Sequence, residues 1–171
     1  MSIRIGVPFQ LHCPRKLRLQ RCLGVLLTVL TPLSAFAGLG GDLNSILTDQ
    51  VHFQGSVQTT QTASYTVHEI RPATGTTNGT VIREYVSPAG KVFAVSWHSA
   101  WPADKQQLLG TYFPQYQEAI RAQASPHPGR RTVQIVQPEF VFQEGGRPRS
   151  YSGRAYLPQM LPAGVKAEAI Q

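Results

Sequence analysis

The sequence predicts an α+β fold, in which an antiparallel sheet of about five to six strands packs against one helical segment. Two segments rich in β-branched residues, 80–86 and 91–97, flank the turn-forming residues Ser87-Pro88-Ala89-Gly90 and predict a hairpin. Apolar residues then recur at helical spacing across 103–123. Further strand-like segments follow. This order of strands, helix and strands favours a segregated helix over alternating parallel units.

The strand predictions rest on side-chain alternation. Residues 65–70 alternate and predict a strand before the hairpin. The Pro, Gly, Thr and Asn residues of 72–79 predict the loop between them. Val92 to Val95 are apolar on both faces, which is typical of a central strand covered on each side.

We expect the helical segment to be kinked or broken. Pro114 lies inside its apolar pattern and lacks a backbone N–H, so it removes one helical hydrogen bond. Pro102 and Asp104 suit the start of the segment, because a carboxylate is favourable near the positive end of a helix. Two prolines between 124 and 129 predict a loop after it.

A second hairpin is predicted near the end of the chain. Residues 132–137 favour a strand, and Pro138 indicates either an edge strand or a bulge. The segments 139–144 and 149–156 flank Gly145-Gly146, so we expect the turn at these two glycines.

The first 37 residues have the pattern of an export signal. A basic stretch precedes the apolar run 22–33, and the small-x-small site Ala35-Phe36-Ala37 follows. We expect cleavage after Ala37, so that Gly38 begins the mature chain. The apolar run is shorter than the roughly 20 residues of a membrane-spanning helix, so no stable span is expected after cleavage. No cysteine stands at the cleavage point and no Arg-Arg pair precedes the run, so the general secretory route is the prediction.

Removing this leader changes the charge and the redox chemistry. The formal charge of +7 falls to +2, because five of the 16 basic residues and none of the nine acids precede Gly38. A net charge this small argues against a nucleic-acid partner. Cys13 and Cys22 also leave with the leader, so the mature chain forms no disulfide and no thiolate metal site.

The mature chain is long enough for one domain. Residues 38–62 are rich in Gly, Gln, Thr and Ser, and we expect them to form a flexible N-terminal arm. A short helix through Leu47, capped by Asp42 or Asn44, is the alternative for part of this arm. Residues 63–171 are predicted to form a single α+β domain.

Several blocks of the chain resemble a known family. They are the Leu39-Gly40-Gly41 start of the mature chain, the segment 81–97, the block 108–113 and the hairpin 142–158. The family consists of exported bacterial proteins catalogued as domain of unknown function 2844. The resemblance implies a bacterial origin and export, and it implies no activity and no catalytic residues.

Enzyme motifs give little support for catalysis. The possible metal ligands His68, His98 and His127 stand at no recognised ligand spacing with Glu69 or Asp104, so no metal and no cofactor is predicted. No nucleophile motif surrounds the serines near His98, which are Ser96, Ser99, Ser150 and Ser152. We interpret Glu84 beside Arg83 as ordinary charge pairing between strands.

Aromatic residues are concentrated where a strand leads into the helix. A binding surface is one interpretation, because Trp and Tyr beside polar groups often stack on sugars or peptides. A packed core is the other interpretation. The candidate binding residues are Trp97, His98, Trp101, Tyr112 and Tyr116.

A basic patch is a further candidate surface, with a charge-protected edge strand as its alternative. Its residues are Arg130, Arg131, Arg147, Arg149 and Tyr151.

The sequence therefore predicts a non-enzymatic binding or accessory protein of the bacterial cell envelope, either periplasmic or secreted. Its expected partner is an envelope protein or a polysaccharide. The alternative is a small envelope hydrolase that uses His98 and Asp104.

Overall fold

The computed structural model describes residues 38–73, 79–123 and 132–171, which all belong to one compact unit. The leader, His127, Arg130 and Arg131 lie outside the described residues, as do the whole loop predicted at 124–129 and part of the loop predicted at 72–79.

Three helices and seven strands make up the described part of the chain. The helices are α1 (Leu43–His52), α2 (Lys105–Leu109) and α3 (Phe113–Ala122), and 3-10 turns occur at Gly110–Tyr112, Pro158–Met160 and Ala167–Ala169. The strands are β1 (Gly55–Gln61), β2 (Thr66–Pro72), β3 (Val81–Val86), β4 (Val92–Ser99), β5 (Val133–Val136), β6 (Val141–Arg147) and β7 (Ser150–Tyr156).

All seven strands form one antiparallel sheet in the order β1-β2-β3-β4-β7-β6-β5. The chain runs back and forth from β1 to β4 and then passes through α2 and α3. It re-enters at the far edge as β5 and returns through β6 to place β7 beside β4. The α+β class is confirmed, but the sheet has more strands than the five to six expected.

The additional strand lies in the segment predicted to be a flexible arm. Residues 38–62 instead contain α1 and β1, and Leu39 and Ile46 from this segment are buried in the core. β1 pairs with β2 along its whole length. Its side chains are mostly polar and uncharged, so they give little of the apolar alternation by which a strand is recognised.

The β3–β4 hairpin is confirmed, with β4 in the middle of the sheet. Every residue of β4 except His98 is buried, as its apolar sequence predicts. A register shift at Tyr85/Val86 marks an irregularity where the two strands approach their turn.

Other parts of the chain pack on both faces of this central strand. On the helix face, α1, α2 and α3 bury Ile82, Val95 and Trp97. On the opposite face, which we call the tail face, residues 157–171 cover Phe93 and Ala94. Ile170 lies in that second apolar cluster and is itself buried.

Two local expectations differ from the structure. The helical segment is interrupted at Gly110, where φ is +51°, and Pro114 lies in the first turn of α3, where its missing N–H costs nothing. Gly145 and Gly146 lie within β6, and the turn comes later, where Arg149 adopts a φ of +68°. Gly146 is required in β6 because a Cβ there would collide with the Ser150 carbonyl.

Candidate functional site

The predicted aromatic residues separate into a core group and an exposed group. Trp97 extends from β4 on the helix face, and its ring centroid lies 5.6 Å from that of Phe142. Gly153 on the neighbouring strand makes room for this ring, because a Cβ there would collide with it. Trp97 is therefore part of the core.

Tyr112 and Tyr116 lie in the same aromatic core. Tyr112 stacks on Phe140 with ring centroids 5.7 Å apart, and Tyr116 lies 4.7 Å from Phe142. Burial raises the pKa of the Tyr116 phenol, and the nearby Glu144 carboxylate adds to this shift. These side chains hold α3 against β6.

Trp101 and His98 remain open to solvent. Trp101 is 60% exposed, and His98 extends from the tail face opposite Ser152. Asp104 lies on the helix face, where its side chain caps α2 and pairs with His52 at 3.3 Å. The structure therefore holds the two residues of the hydrolase alternative, His98 and Asp104, on opposite sides of the sheet.

No group of three metal-ligating side chains occurs within residues 38–73, 79–123 and 132–171. His68 contacts Thr59 through Nδ1 at 3.0 Å. The Glu69 carboxylate is occupied by Arg71 and Arg83, and these two guanidinium groups lower its pKa although partial burial opposes them.

Two carboxyl groups meet in the core beneath α1. Asp49 of α1 and Glu84 of β3 both have 0% exposure. Glu84 is buried because it stands between Ile82 and Val86 on the helix face of β3. Arg83 points to the other face and binds Glu69, so Glu84 does not take part in the predicted charge pairing.

Burial raises the pKa of both carboxyls, and the shift is larger for Glu84. The repulsion between the two charges also raises the pKa of Glu84. Asp49 accepts a hydrogen bond from the Gln107 side-chain amide, whereas neither Glu84 oxygen accepts one from the described donors. A hydrogen bond between the two carboxyls further raises the pKa of Glu84 and lowers that of Asp49, so it favours a proton on Glu84.

Two imidazoles lie near this acid pair, and the charge of His52 lowers the pKa of Asp49. His68 stands opposite Glu84 in the adjacent strand, and its Nε2 is buried without a partner among the described residues. Burial lowers the pKa of His68 and so favours its neutral form. His52 is partly exposed and already pairs with Asp104.

The same helix presents an apolar stripe to solvent. Leu43, Leu47 and Val51 follow each other at intervals of four residues, and each is more than half exposed. β1, which α1 contacts, is an edge strand whose outer side pairs with no strand in the described part of the chain. We call this stripe and the outer edge of β1 together the α1–β1 surface.

The tail face carries a polar site that the chain itself fills. The Gln171 carbonyl oxygen accepts hydrogen bonds from Ser96 at 2.8 Å, Tyr85 at 2.7 Å and Arg83 at 3.0 Å. Arg154 donates to the carbonyls of Ala167 and Ile170. An open depression of about 410 Å³ lies beside this contact. These hydrogen bonds attach the tail to the sheet.

The local sequence patterns do not predict the acid pair or the α1–β1 surface. The alternation of Ile82, Glu84 and Val86 was the available signal for a buried carboxyl, since it places Glu84 between two core residues. The spacing of Leu43 and Leu47 suits a helix, but it does not show that the side of the helix that carries them faces solvent.

Comparison with known proteins identifies the family. The model of the family described as "Protein of unknown function (DUF2844)" matches residues 35–170, and the chain belongs to this family. No curated protein and no solved structure matches the chain. No helix among residues 38–73, 79–123 and 132–171 has the length and apolarity needed to cross a membrane.

The acid pair predicts that stability falls as the pH rises. Because the pKa of Glu84 is higher in the folded protein than the usual glutamate value of about 4.3, its stabilising protonation is complete below that pH. The contribution is lost as the pH rises through the folded-state pKa, at up to about 1.4 kcal/mol per pH unit. Glu84→Gln keeps a donor toward Asp49, so we expect urea unfolding between pH 4 and 8 to show a flatter profile.

Glu139→Gln is the matched control, since Glu139 is exposed and its substitution should leave the profile of the wild-type protein unchanged. A Glu84→Gln profile as steep as that of the wild type would contradict the shared proton.

Proposed function

We propose that the chain is an exported, non-enzymatic protein of the bacterial cell envelope that binds a protein partner through the α1–β1 surface. One observation carries this proposal: α1 exposes three of its four aliphatic side chains, Leu43, Leu47 and Val51, and buries its carboxyl. Single exposed apolar residues are ordinary, but a stripe of them on a helix that contacts an edge strand is typical of an interaction site.

The composition of this surface supports a protein partner. Residues 43–61 contain no Lys, Arg or Glu, and Asp49, their one acidic residue, is buried. Depletion of charge is characteristic of the centres of protein interfaces. Natural edge strands commonly carry charges or proline that discourage pairing, and β1 has neither.

The open edge also indicates how a partner would bind. An unpaired edge offers backbone N–H and C=O groups to one more strand, which is the mode of strand addition. The proposed occupant is therefore an extended segment of an envelope protein, with apolar side chains that cover Leu43, Leu47 and Val51. A polysaccharide partner would leave both the stripe and the edge unexplained.

Trp101 is the predicted aromatic residue best placed to contribute. It is 60% exposed and lies three residues before Asp104, whose pairing with His52 joins the start of α2 to the end of α1. An exposed Trp offers a large contact area at an interface.

The export part of the proposal rests on the leader and on the family. The basic stretch, the short apolar run and the Ala35-Phe36-Ala37 site support cleavage before Gly38. The family match begins at residue 35, next to this site.

Leu47→Lys tests the binding surface. Leu47 is 60% exposed, so we expect a change in unfolding free energy within about 0.5 kcal/mol. Binding should weaken at least tenfold, because a charge is placed in the centre of an apolar contact. The partner is first captured from envelope extract and identified by mass spectrometry, and its affinity for each variant is then measured by calorimetry with the purified partner.

Val136→Lys is the matched control. Val136 is 68% exposed but lies in β5, at the opposite edge of the sheet, so its variant should bind as the wild type does. Equal binding by all three proteins would overturn the assignment of the surface. Capture of glycan alone, or of a second copy of this chain, would replace the proposed partner.

The export proposal has its own test. Protein recovered from the envelope or medium of expressing bacteria should have an intact mass and an N-terminal sequence that begin at Gly38. Recovery of a chain that retains Cys22 would contradict the proposed leader.

A further inference from the structure

We infer that removal of the leader completes the core: it converts the amide nitrogen of Gly38 into an α-ammonium group that pairs with the buried carboxyls of Asp49 and Glu84. The inference rests on the export cleavage proposed above. The reaction is hydrolysis of the Ala37–Gly38 bond by an envelope endopeptidase. Water supplies the hydroxyl of the new Ala37 carboxyl and one proton for the nitrogen. The second proton passes from that carboxyl, which leaves as a carboxylate.

Gly38 is held next to the acid pair by α2. It is buried, and a Cβ at this position would collide with the backbone carbonyls of Gln107 and Leu108. The following residue, Leu39, donates its N–H to the Leu108 carbonyl at 2.9 Å. Gln107, which lies against Gly38, is also the residue whose side-chain amide binds Asp49. The backbone amide of Gly38 itself approaches Asp49 and lowers the pKa of that carboxyl.

The acid pair lacks a fixed positive charge. The ionisable groups that face it are His52 of α1 and His68 of β2, while α2 contributes the neutral amide of Gln107. His52 pairs with Asp104, and burial disfavours the charged form of His68. Lys105 of α2 binds Glu144 at 2.6 Å. One further positive charge beside these two buried carboxyls would therefore stabilise the folded protein.

An α-ammonium at Gly38 meets this need without moving the chain. Before cleavage the nitrogen belongs to a neutral amide, so the acids are balanced only by a retained proton and by His52, which is partly exposed and also pairs with Asp104. After cleavage the same nitrogen carries a positive charge at neutral pH, which balances an ionised Asp49 while Glu84 keeps its proton. The docking of α1, and with it the α1–β1 surface, is then more stable in the mature protein than in the precursor.

Two chains that differ by one native residue test the pairing. Residues 38–171 and 37–171 are each released from a fusion partner by a protease that leaves no extra residue, so the free amine starts at Gly38 or at Ala37. The longer chain displaces the charge by one residue, about 3.8 Å along the chain. We expect its unfolding equilibrium constant in urea at pH 7 to be at least about tenfold larger.

The same comparison in an Asp49→Asn, Glu84→Gln background is the control, since the difference between the two lengths should vanish there. A difference that persists at full size in that background would overturn the pairing. If the double variant does not fold, Asp49→Asn alone serves the same purpose.

A second readout distinguishes charge pairing from a general effect of chain length. The α-amine of residues 38–171, followed by NMR, should titrate well above the usual range of about 7.7–8.0, and that of residues 37–171 should titrate within it. The inference would be overturned if the two chains had equal unfolding free energies and if both α-amines titrated within the usual range. The N-terminus of the exported protein decides the cleavage proposal separately, so failure of one proposal is distinguishable from failure of the other.

Discussion

The orientation of α1 is set by two carboxyl groups that share a site without access to water. Asp49 and Glu84 are both fully buried, so α1 turns the side that carries Asp49 toward the sheet. Ser45 and Ile46 are buried on that side as well, and Leu43, Leu47 and Val51 are left facing solvent. Hydrophobic burial alone would favour a rotation of this helix that covers Leu43 and Leu47 together with Ile46. The acid pair therefore links the core to the exposed surface that we propose for binding.

The rest of the sheet depends on coverage from both sides. β4 is apolar on each face, and an uncovered face would expose Phe93 or Val95 to water. α2 and α3 cover one face through an aromatic core, and the tail covers the other. The hydrogen bonds of Arg83 and Arg154 attach the tail to tail-face side chains rather than to a sheet edge. Among residues 38–73, 79–123 and 132–171, no further strand pairs with the outer side of β1 or of β5.

The sequence predicted the elements whose patterns are local and apolar. The β3–β4 hairpin follows from β-branched segments around Pro88 and Gly90, and the helical segment follows from the spacing of residues such as Leu108 and Tyr112. β1 was missed because polar strands such as 55–61 are stabilised by backbone pairing with a neighbour, which no local pattern reveals. The break in the helical segment was placed at Pro114 because the tolerance of proline in a first turn depends on where the helix begins.

The site was less predictable than the fold, because it depends on which distant residues meet. Nothing near Asp49 in the sequence shows that it faces Glu84 in the folded chain. The aromatic residues were recognised as a group, yet adjacent residues of β4 point to opposite faces, so Trp97 is buried while His98 is exposed. Their proposed role in binding was inferred from chemical type, whereas burial determines which of them a partner can reach.

The state of the two buried carboxyls tests this explanation most directly. Carbon-13 NMR of the side-chain carboxyl carbons, in protein that begins at Gly38, reports the protonation of Asp49 and Glu84 separately. We expect Glu84 to keep its proton to a higher pH than Asp49 does, since burial and the neighbouring Asp49 carboxylate raise the pKa of Glu84 further. If both carboxyls instead titrated near pH 4, as solvated acids do, the acid pair would not set the orientation of α1, and the explanation would be wrong.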